Sequence, residues 1–419
     1  MIKKKIAIVG SGISGLTCGY YLNKDFDITM FEAGKYIGGH TNTIEVDDPK
    51  GPLNIDTGFI VFNDWTYPNF IKMLNETGVE SQPSDMSFSV KCETTGLEYN
   101  GTNTNALFAQ RSNIFKPKFW GMIRDILKFN KEGLEWIQNA PDNDETTLGE
   151  FFDRFNLSEM FRNYYGYPIT AAIWSAGKAD VYKFPLRFFM TFFKNHGMLS
   201  VNERPQWRVI KNGSKSYIPA FTKGWADKIK LNSPVDMIKR KEDKVFIRTK
   251  EELEEFDGVI LACHSDQSLN MLSDPSSQEE EILKAIPYQA NEAVLHTDPT
   301  ILPKRKLAWA AWNYHILPGL GETAALTYNM NILQSLKTDQ TYNVTLNYTE
   351  KVDPSKIIRK IKYMHPRFSL EGVKAQKRHA EISGVRNTFY CGAYWRYGFH
   401  EDGVVSGLKA VEQVKEVFK

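Results

Sequence analysis

Four apolar residues, Ile6-Ala-Ile-Val9, run straight into glycine, and the segment after them, through Tyr21 and Leu22, reads as an amphipathic helix. A short apolar run bounded by glycine is the pattern of a buried strand. A second strand, Asp27 to Phe31, follows and ends on Glu32. Farther on, Asn54-Ile-Asp56-Thr57-Gly58-Phe59-Ile60 reads as a short strand that turns at Gly58. Strands are expected over 237–240 and 244–249, and again from Asp257 to His264. Residues 293–296, 308–312, 323–328 and 342–348 carry the same signal, while 81–205 reads mostly helical. A final helix over 404–418 has Val404, Leu408, Val411, Val414 and Phe418 at helical spacing. Strands alternating with helices make this an α/β chain.

At 419 residues the chain has room for two domains or one large discontinuous one. No repeat or low-complexity linker separates the parts, so interleaved domains are expected. Composition is globular, 42% hydrophobic and 24% charged, and a net charge of +2 implies no general affinity for nucleic acid. Cys18, Cys92, Cys263 and Cys391 are scattered without CxxC or metal-ligand spacing, so no metal is expected. Reduced thiols fit a cytoplasmic setting. The apolar run after the basic start breaks at Gly10 and reads as a strand, not a signal peptide. No apolar run approaches the ~18 residues of a membrane span.

The opening glycines have the spacing Gly10-x-Gly12-x-x-Gly15, with Ser11, Ile13 and Ser14 between them and Glu32 near the offset of ~20 residues that a ribose-binding acid takes. Gly10 permits a tight turn, Gly12 lets backbone approach a pyrophosphate, and Gly15 lets the helix pack on its strand. Free N–H groups at the helix start face the anion. Glu32 and Ala33 would meet an adenosine ribose without a 2′-phosphate. A second pair, Gly38-Gly39, with His40 and Thr41, suits a chain wrapping a longer cofactor. At Gly58-Phe59-Ile60 backbone can lie flat against a ring.

This order of GxGxxG, Glu, Gly-Gly and Asp56-Thr57-Gly58 resembles the FAD-containing amine oxidase and phytoene desaturase superfamily. The resemblance implies a Rossmann-like FAD-binding domain of glutathione-reductase type and an interleaved α+β substrate domain, amine-oxidase-like. On that pattern the FAD domain is 1–80, 206–265 and 376–419, and the substrate domain is 81–205 and 266–375. It implies that backbone of Val235 holds the adenine. It also implies that the segment from Gly392 to Asp402, Gly403 and Val404 sets N–H groups against the flavin's N1–C2 edge. His40 stands where relatives have Arg, a weaker and pH-dependent phosphate partner. Tyr394 stands where many have Glu, so Asp402 is a candidate for the ribose contacts there. Cys391 does not match the tethering position, which implies non-covalent FAD. Phe399 matches an aromatic position over the flavin, with Tyr394 and His400 beside it as candidate catalytic lining. His400 either moves a proton or positions the last helix.

The wording of Gly38-Gly-His-Thr-Asn-Thr43, Asp56-Thr-Gly-Phe-Ile-Val-Phe-Asn63 and Tyr397-Gly-Phe-His-Glu-Asp-Gly403 resembles a subgroup of predicted FAD oxidoreductases. Members are associated with cyclopropane-fatty-acid synthase-type methyltransferases. That implies a fatty acyl or phospholipid substrate, methyl-branched chains included, and desaturation as the chemistry. It also implies a lipid methyltransferase as partner. A double-bond isomerase, an amine oxidase and a non-catalytic flavoprotein partner of such a methyltransferase stand as alternatives. In 114–131, Phe119, Met122, Ile123, Ile126 and Leu127 share one helical face, opposite Lys118, Arg124, Asp125, Lys128 and Lys131. This is either a peripheral anchor on the inner membrane surface or an ordinary helix with a solvated basic face. The aromatics of Phe184-Pro-Leu-Arg-Phe-Phe-Met-Thr-Phe-Phe193, with Tyr164, Tyr165, Tyr167 and Trp174, either line an apolar tunnel or fill a core.

Overall fold

The strand Lys5–Val9 is covered on both faces, and for that reason it reads as a continuous apolar run without alternation. The computed structural model describes residues 3–200, 202–318 and 324–418. Lys5–Val9 pairs in parallel with Asp27–Phe31 on one side and Gly258–Leu261 on the other. Ile229–Lys230 and Thr388–Tyr390 complete a five-stranded parallel sheet, in the order Ile229–Lys230, Asp27–Phe31, Lys5–Val9, Gly258–Leu261, Thr388–Tyr390. Helices Ile13–Leu22 and His400–Phe418 pack together on one of its faces.

The second large sheet has seven strands: Ile357–Pro366, Tyr288–His296, Asn343–Leu346, Ala325–Asn329, Trp312–Ile316, Phe88–Cys92 and Glu98–Asn100. It is antiparallel except where Trp312–Ile316 lies parallel to Phe88–Cys92. Helices Pro117–Asn139, Leu148–Arg154, Tyr167–Trp174 and Leu186–Asn195 build an aromatic core beside it. Phe184, Phe188, Phe189, Phe192 and Phe193 all belong to that core, so this cluster is packing.

Several boundaries differ from the sequence reading. The segment 308–312 is not a strand, because the Asn313 side chain accepts from the Ala310 N–H at 3.0 Å and donates to its carbonyl at 2.7 Å. That closed turn delays the strand to Trp312–Ile316. The strand expected over 323–328 is Ala325–Asn329, and Thr323 lies outside the described residues. The last helix begins at His400, four residues early, because Asp402 accepts the Phe399 N–H at 2.9 Å and organises the first turn. Helices Ser265–Met271 and Ser277–Lys284, which fall within the expected substrate segment, instead pack through Leu272, Ile282 and Leu283 on the parallel sheet. In Pro117–Asn139 the expected membrane face is spent on protein: Phe119 and Met122 are buried, and Ile123 and Ile126 pack on the same core.

Arg240, on the strand Met237–Lys241, ties the helix Ser277–Lys284 to the parallel sheet. Its guanidinium meets both oxygens of Glu279 at 2.8 and 2.9 Å, and the Tyr390 hydroxyl donates to Glu279 at 2.6 Å. Glu279→Ala leaves that charge buried with only Asp274 as ionic partner, and should cost about 3–5 kcal/mol of stability in denaturant unfolding. The double change Arg240→Met/Glu279→Leu should recover most of that loss, and no recovery would refute the account.

Candidate functional site

The carboxyl ends of the parallel strands open onto a cavity of about 710 Å³, where a ligand of an open α/β sheet is expected. Its near wall is the first turn. A Cβ on Gly15 would sit 2.0 Å from the Gly10 carbonyl oxygen, so only glycine lets the helix Ile13–Leu22 start this close to its strand. No side chain caps that helix, and Gly12, Ile13 and Ser14 line the cavity with its N-terminus. A Cβ on Gly12 would meet nothing within 4 Å, whereas one on Gly39 would come within 3.3 Å of the Gly12 Cα. The two glycine segments are therefore packed side by side, and Gly12 faces space that no side chain fills.

Glu32 is oriented for a hydroxylated ligand. Its Oε2 accepts from the Ser11 N–H at 2.9 Å and the Ser11 hydroxyl at 2.5 Å, and its Oε1 accepts from the Gly34 N–H at 2.7 Å. Oε1 keeps room for a further donor. Ala33 and Val235 lie on the same wall, and the Ser233 N–H donates to the Glu32 carbonyl at 2.9 Å, which fixes Ser233-Pro-Val235 beside it.

Farther in, Gly38, His40, Gly58, Phe59, Ile60, Gly392, Tyr394, Phe399 and His400 line the cavity together. The His400 ring lies flat on Phe59, centroids 3.5 Å apart and 4° from parallel, and its Nε2 is 2.9 Å from the Tyr217 hydroxyl. Tyr217 in turn bonds Thr41 at 2.5 Å. Thr41 thus braces the wall without lining it. Gly15 packs the helix on its strand as expected, and Asp402, Gly403 and Val404 stand back from the cavity wall. Asp402 is used by the Phe399 N–H, Gly403 is pressed on Ile13 and Ser14, and Val404 is core. Phe399 stacks on Phe192 at 4.9 Å.

Four histidines, His40, His264, His365 and His400, line this one cavity. Burial, and then repulsion between them, lowers His40 and His264 to about 4 and His365 to about 3, and holds His400 well below its ordinary value. In the protein without ligand His40 is therefore a neutral donor or acceptor, and a phosphate beside it would shift the ring back toward the charged form. Its Nε2 and the Tyr394 hydroxyl are buried without a partner. Orphaned polar atoms in a wall with an open backbone cradle fit a polar ligand that supplies the missing bonds.

Sequence reasoning missed much of the far end. Trp312 and Tyr328 face each other across two strands, rings 5.3 Å apart at 85°, and Ile173, Met364, His365 and Phe368 join them. Trp174 was the one aromatic of its cluster to reach the cavity. Direct cross-strand pairing of two aromatics was the available signal, but it needed the register.

A glycine cradle, a ribose acid and a second-sheet wall around one cavity define an FAD-binding α/β protein. The chain belongs to the flavin-containing amine oxidoreductase family, whose model matches residues 13–415. Its cofactor is FAD. It is similar to the flavin-containing amine oxidase A of Canis lupus familiaris, 20% identical over 301 residues, 68% of this chain and 54% of that one. The chain thus spans about half the length of that curated relative. In fold it is similar to cyclohexylamine oxidase from Brevibacterium oxydans, 15% identical, with a TM-score of 0.73 and full coverage of both chains. It is likewise similar to a CLA-producing fatty acid isomerase from P. acnes, 16% identical, with a TM-score of 0.69 and 99% coverage of each.

Gly12→Val should abolish FAD content while the apoprotein keeps its melting temperature, because the new side chain enters only cofactor space. Gly15→Val should lower the apoprotein melting temperature itself. Equal effects of the two on fold and flavin would refute this division.

All eight histidines are held below the ordinary value of 6.5 by burial. Such a group binds fewer protons folded than unfolded, so it adds stability as pH rises from about 4 to about 6.5. Burial raises Asp56 to about 6, Asp402 to about 7 and Glu401 to a lesser degree, and these act in the opposite sense. With eight groups against three, the apoprotein melting temperature should climb between pH 5 and pH 7, and a flat or falling profile would contradict neutral burial.

Proposed function

We propose that this oxidoreductase desaturates fatty acyl chains, free or carried in phospholipid, methyl-branched chains included. The observation that supports it is the cavity lining. Beyond Glu32 at the nucleotide end, no Asp, Glu, Lys or Arg among the described residues lines the cavity, and its histidines are neutral. The far end is Ile173, Trp174, Trp312, Tyr328, Met364 and Phe368. Apolar and aromatic surface of this kind accepts an alkyl chain and offers a cationic amine no counter-charge.

Held by the turn Gly10–Ser14, Glu32 and the Gly38–Gly39 segment, FAD would supply the two-electron acceptor for a desaturation in which the hydride and proton lost from two neighbouring saturated carbons both end on the final acceptor, oxygen or a quinone, leaving a C=C bond. The protein's part is positional. Phe59, held flat by His400, and Phe399, held by Phe192, present rings whose faces keep water from the reacting carbons. His400 serves through its bond to Tyr217 and its stacking on Phe59.

The test is the visible spectrum of the FAD-loaded protein under anaerobic conditions, with lipid from cells that express an acyl-chain methyltransferase. Bleaching of the flavin with a new alkene in the extracted lipid is the expected result. An unbleached flavin with a displaced double bond would mean isomerisation, and bleaching by cyclohexylamine but not by lipid would mean an amine oxidase.

A further inference from the structure

Ten large apolar side chains stand exposed among the described residues, and five of them, Ile114, Phe115, Trp120, Leu127 and Leu307, occur in two short segments. Phe115 is 85% exposed, at the corner between the turn Arg111–Phe115 and the helix Pro117–Asn139. The helix continues the surface through Trp120, Arg124, Leu127 and Lys131, which recur at helical spacing and are all exposed. The Trp120 ring is fixed: its Nε1–H donates to the Ile114 carbonyl at 2.8 Å and it packs on Phe108 at 5.1 Å. Leu127, expected on the apolar face, belongs to this exposed surface, while Phe119 and Met122 of that face are buried and Ile123 and Ile126 pack on the core.

The second segment is Lys304-Arg305-Lys306-Leu307, all exposed. Its turn Lys306–Ala308 packs on the short helix Thr104–Leu107, and Arg111 also holds that helix, through the Asn105 and Phe108 carbonyls. Two stretches about 190 residues apart thus meet on one helix, each bringing exposed apolar and cationic side chains. The charge is one-sided. From Tyr99 to Arg124 the chain has Arg111, Lys116, Lys118 and Arg124 and no carboxylate. Glu98 is taken by Arg305 at 2.9 Å, and Asp125 accepts the Ser158 N–H at 3.0 Å. Lys118 and Arg124 form no ion pair among the described residues.

We infer that this surface docks on an anionic lipid bilayer, with Phe115 and Trp120 entering the headgroup region and Lys116, Lys118, Arg124, Lys304 and Lys306 facing lipid phosphates. An apolar tip ringed by cations matches both components of such a surface, the acyl boundary and its negative charge. A protein partner would need a complementary acidic and apolar face, whereas a bilayer supplies both without shape matching. The inference stands apart from the substrate proposed above, because docking is read without turnover.

The experiment is sedimentation of the FAD-loaded protein with vesicles of phosphatidylcholine alone and of phosphatidylcholine with phosphatidylglycerol. Binding to the mixed vesicles, weakened by added salt, is expected. Phe115→Glu should lower the partition at least tenfold and Lys118→Gln by about fivefold, with flavin content and melting curve unchanged to show an intact fold. Absence of binding to the mixed vesicles, or full binding by Phe115→Glu, overturns the inference. Dissociation of a lipid-free oligomer by Phe115→Glu would assign the surface to a second copy and overturn it equally.

Discussion

Two helices from opposite ends of the chain approach more closely than side chains permit, and the cavity exists because they do. A Cβ on Gly403 would fall 2.6 Å from the Ile13 side chain, and one on Gly407 would fall 2.8 Å from the Ser14 carbonyl oxygen. With Gly15 pressed on Gly10, the helix Ile13–Leu22 is held between its own strand and the helix His400–Phe418. The turn after each end-strand is thereby brought to one place. Gly10–Gly12 forms one wall, Gly392–His400 the other, and neither turn could be moved without opening the glycine contact behind it. Local backbone geometry at residues nearly four hundred positions apart thus sets both walls of the cofactor end.

A second consequence concerns charge. His40, stacked on Tyr363 at 4.9 Å and near His365, sits in surroundings that cannot stabilise an imidazolium. An arginine there would bring permanent charge, while a neutral imidazole contributes only a hydrogen bond. The free N–H groups and dipole of the helix Ile13–Leu22 suit the negative charge of a dinucleotide. Apart from Glu32, no Asp, Glu, Lys or Arg among the described residues lines the cavity, which agrees with a far end built for apolar contact.

What was legible in the sequence was local. The strand, glycine turn, helix and second strand up to Glu32 were readable because each is decided by its neighbours: a doubly buried run, a turn that tolerates no Cβ, a closing acid. The strand Ile357–Pro366 was not, since Arg359, Lys360 and Lys362 give an edge strand the look of a solvated segment. It nevertheless delivers Met364 and His365 to the cavity. The residues 308–312 looked like a strand because their apolar character is real, and only the Asn313 side chain turns them aside. The resemblance implied Asp402, Gly403 and Val404 near the cofactor, and what no local pattern announced is that they also hold the helix that frames the cavity. Likewise the apolar face of Pro117–Asn139 could not reveal whether protein or lipid would cover it.

The two ends of the cavity are built from different material, and this decides how far each can be read. The cofactor end is backbone: N–H groups, glycine clearances and one oriented carboxylate. Backbone geometry persists through wide change in side chains, which is why a chain only 15% identical matches this one over its whole length with a TM-score of 0.73. The far end is side chain, and its character comes from Trp312 against Tyr328 and from Met364 and Phe368 on another strand and loop. Any of these can be exchanged without disturbing a hydrogen bond of the sheet, because strand pairing runs through the main chain. Fold therefore carries the flavin and leaves the substrate to a handful of replaceable rings, and the proposed preference for an acyl chain lies in those rings and the missing counter-charge.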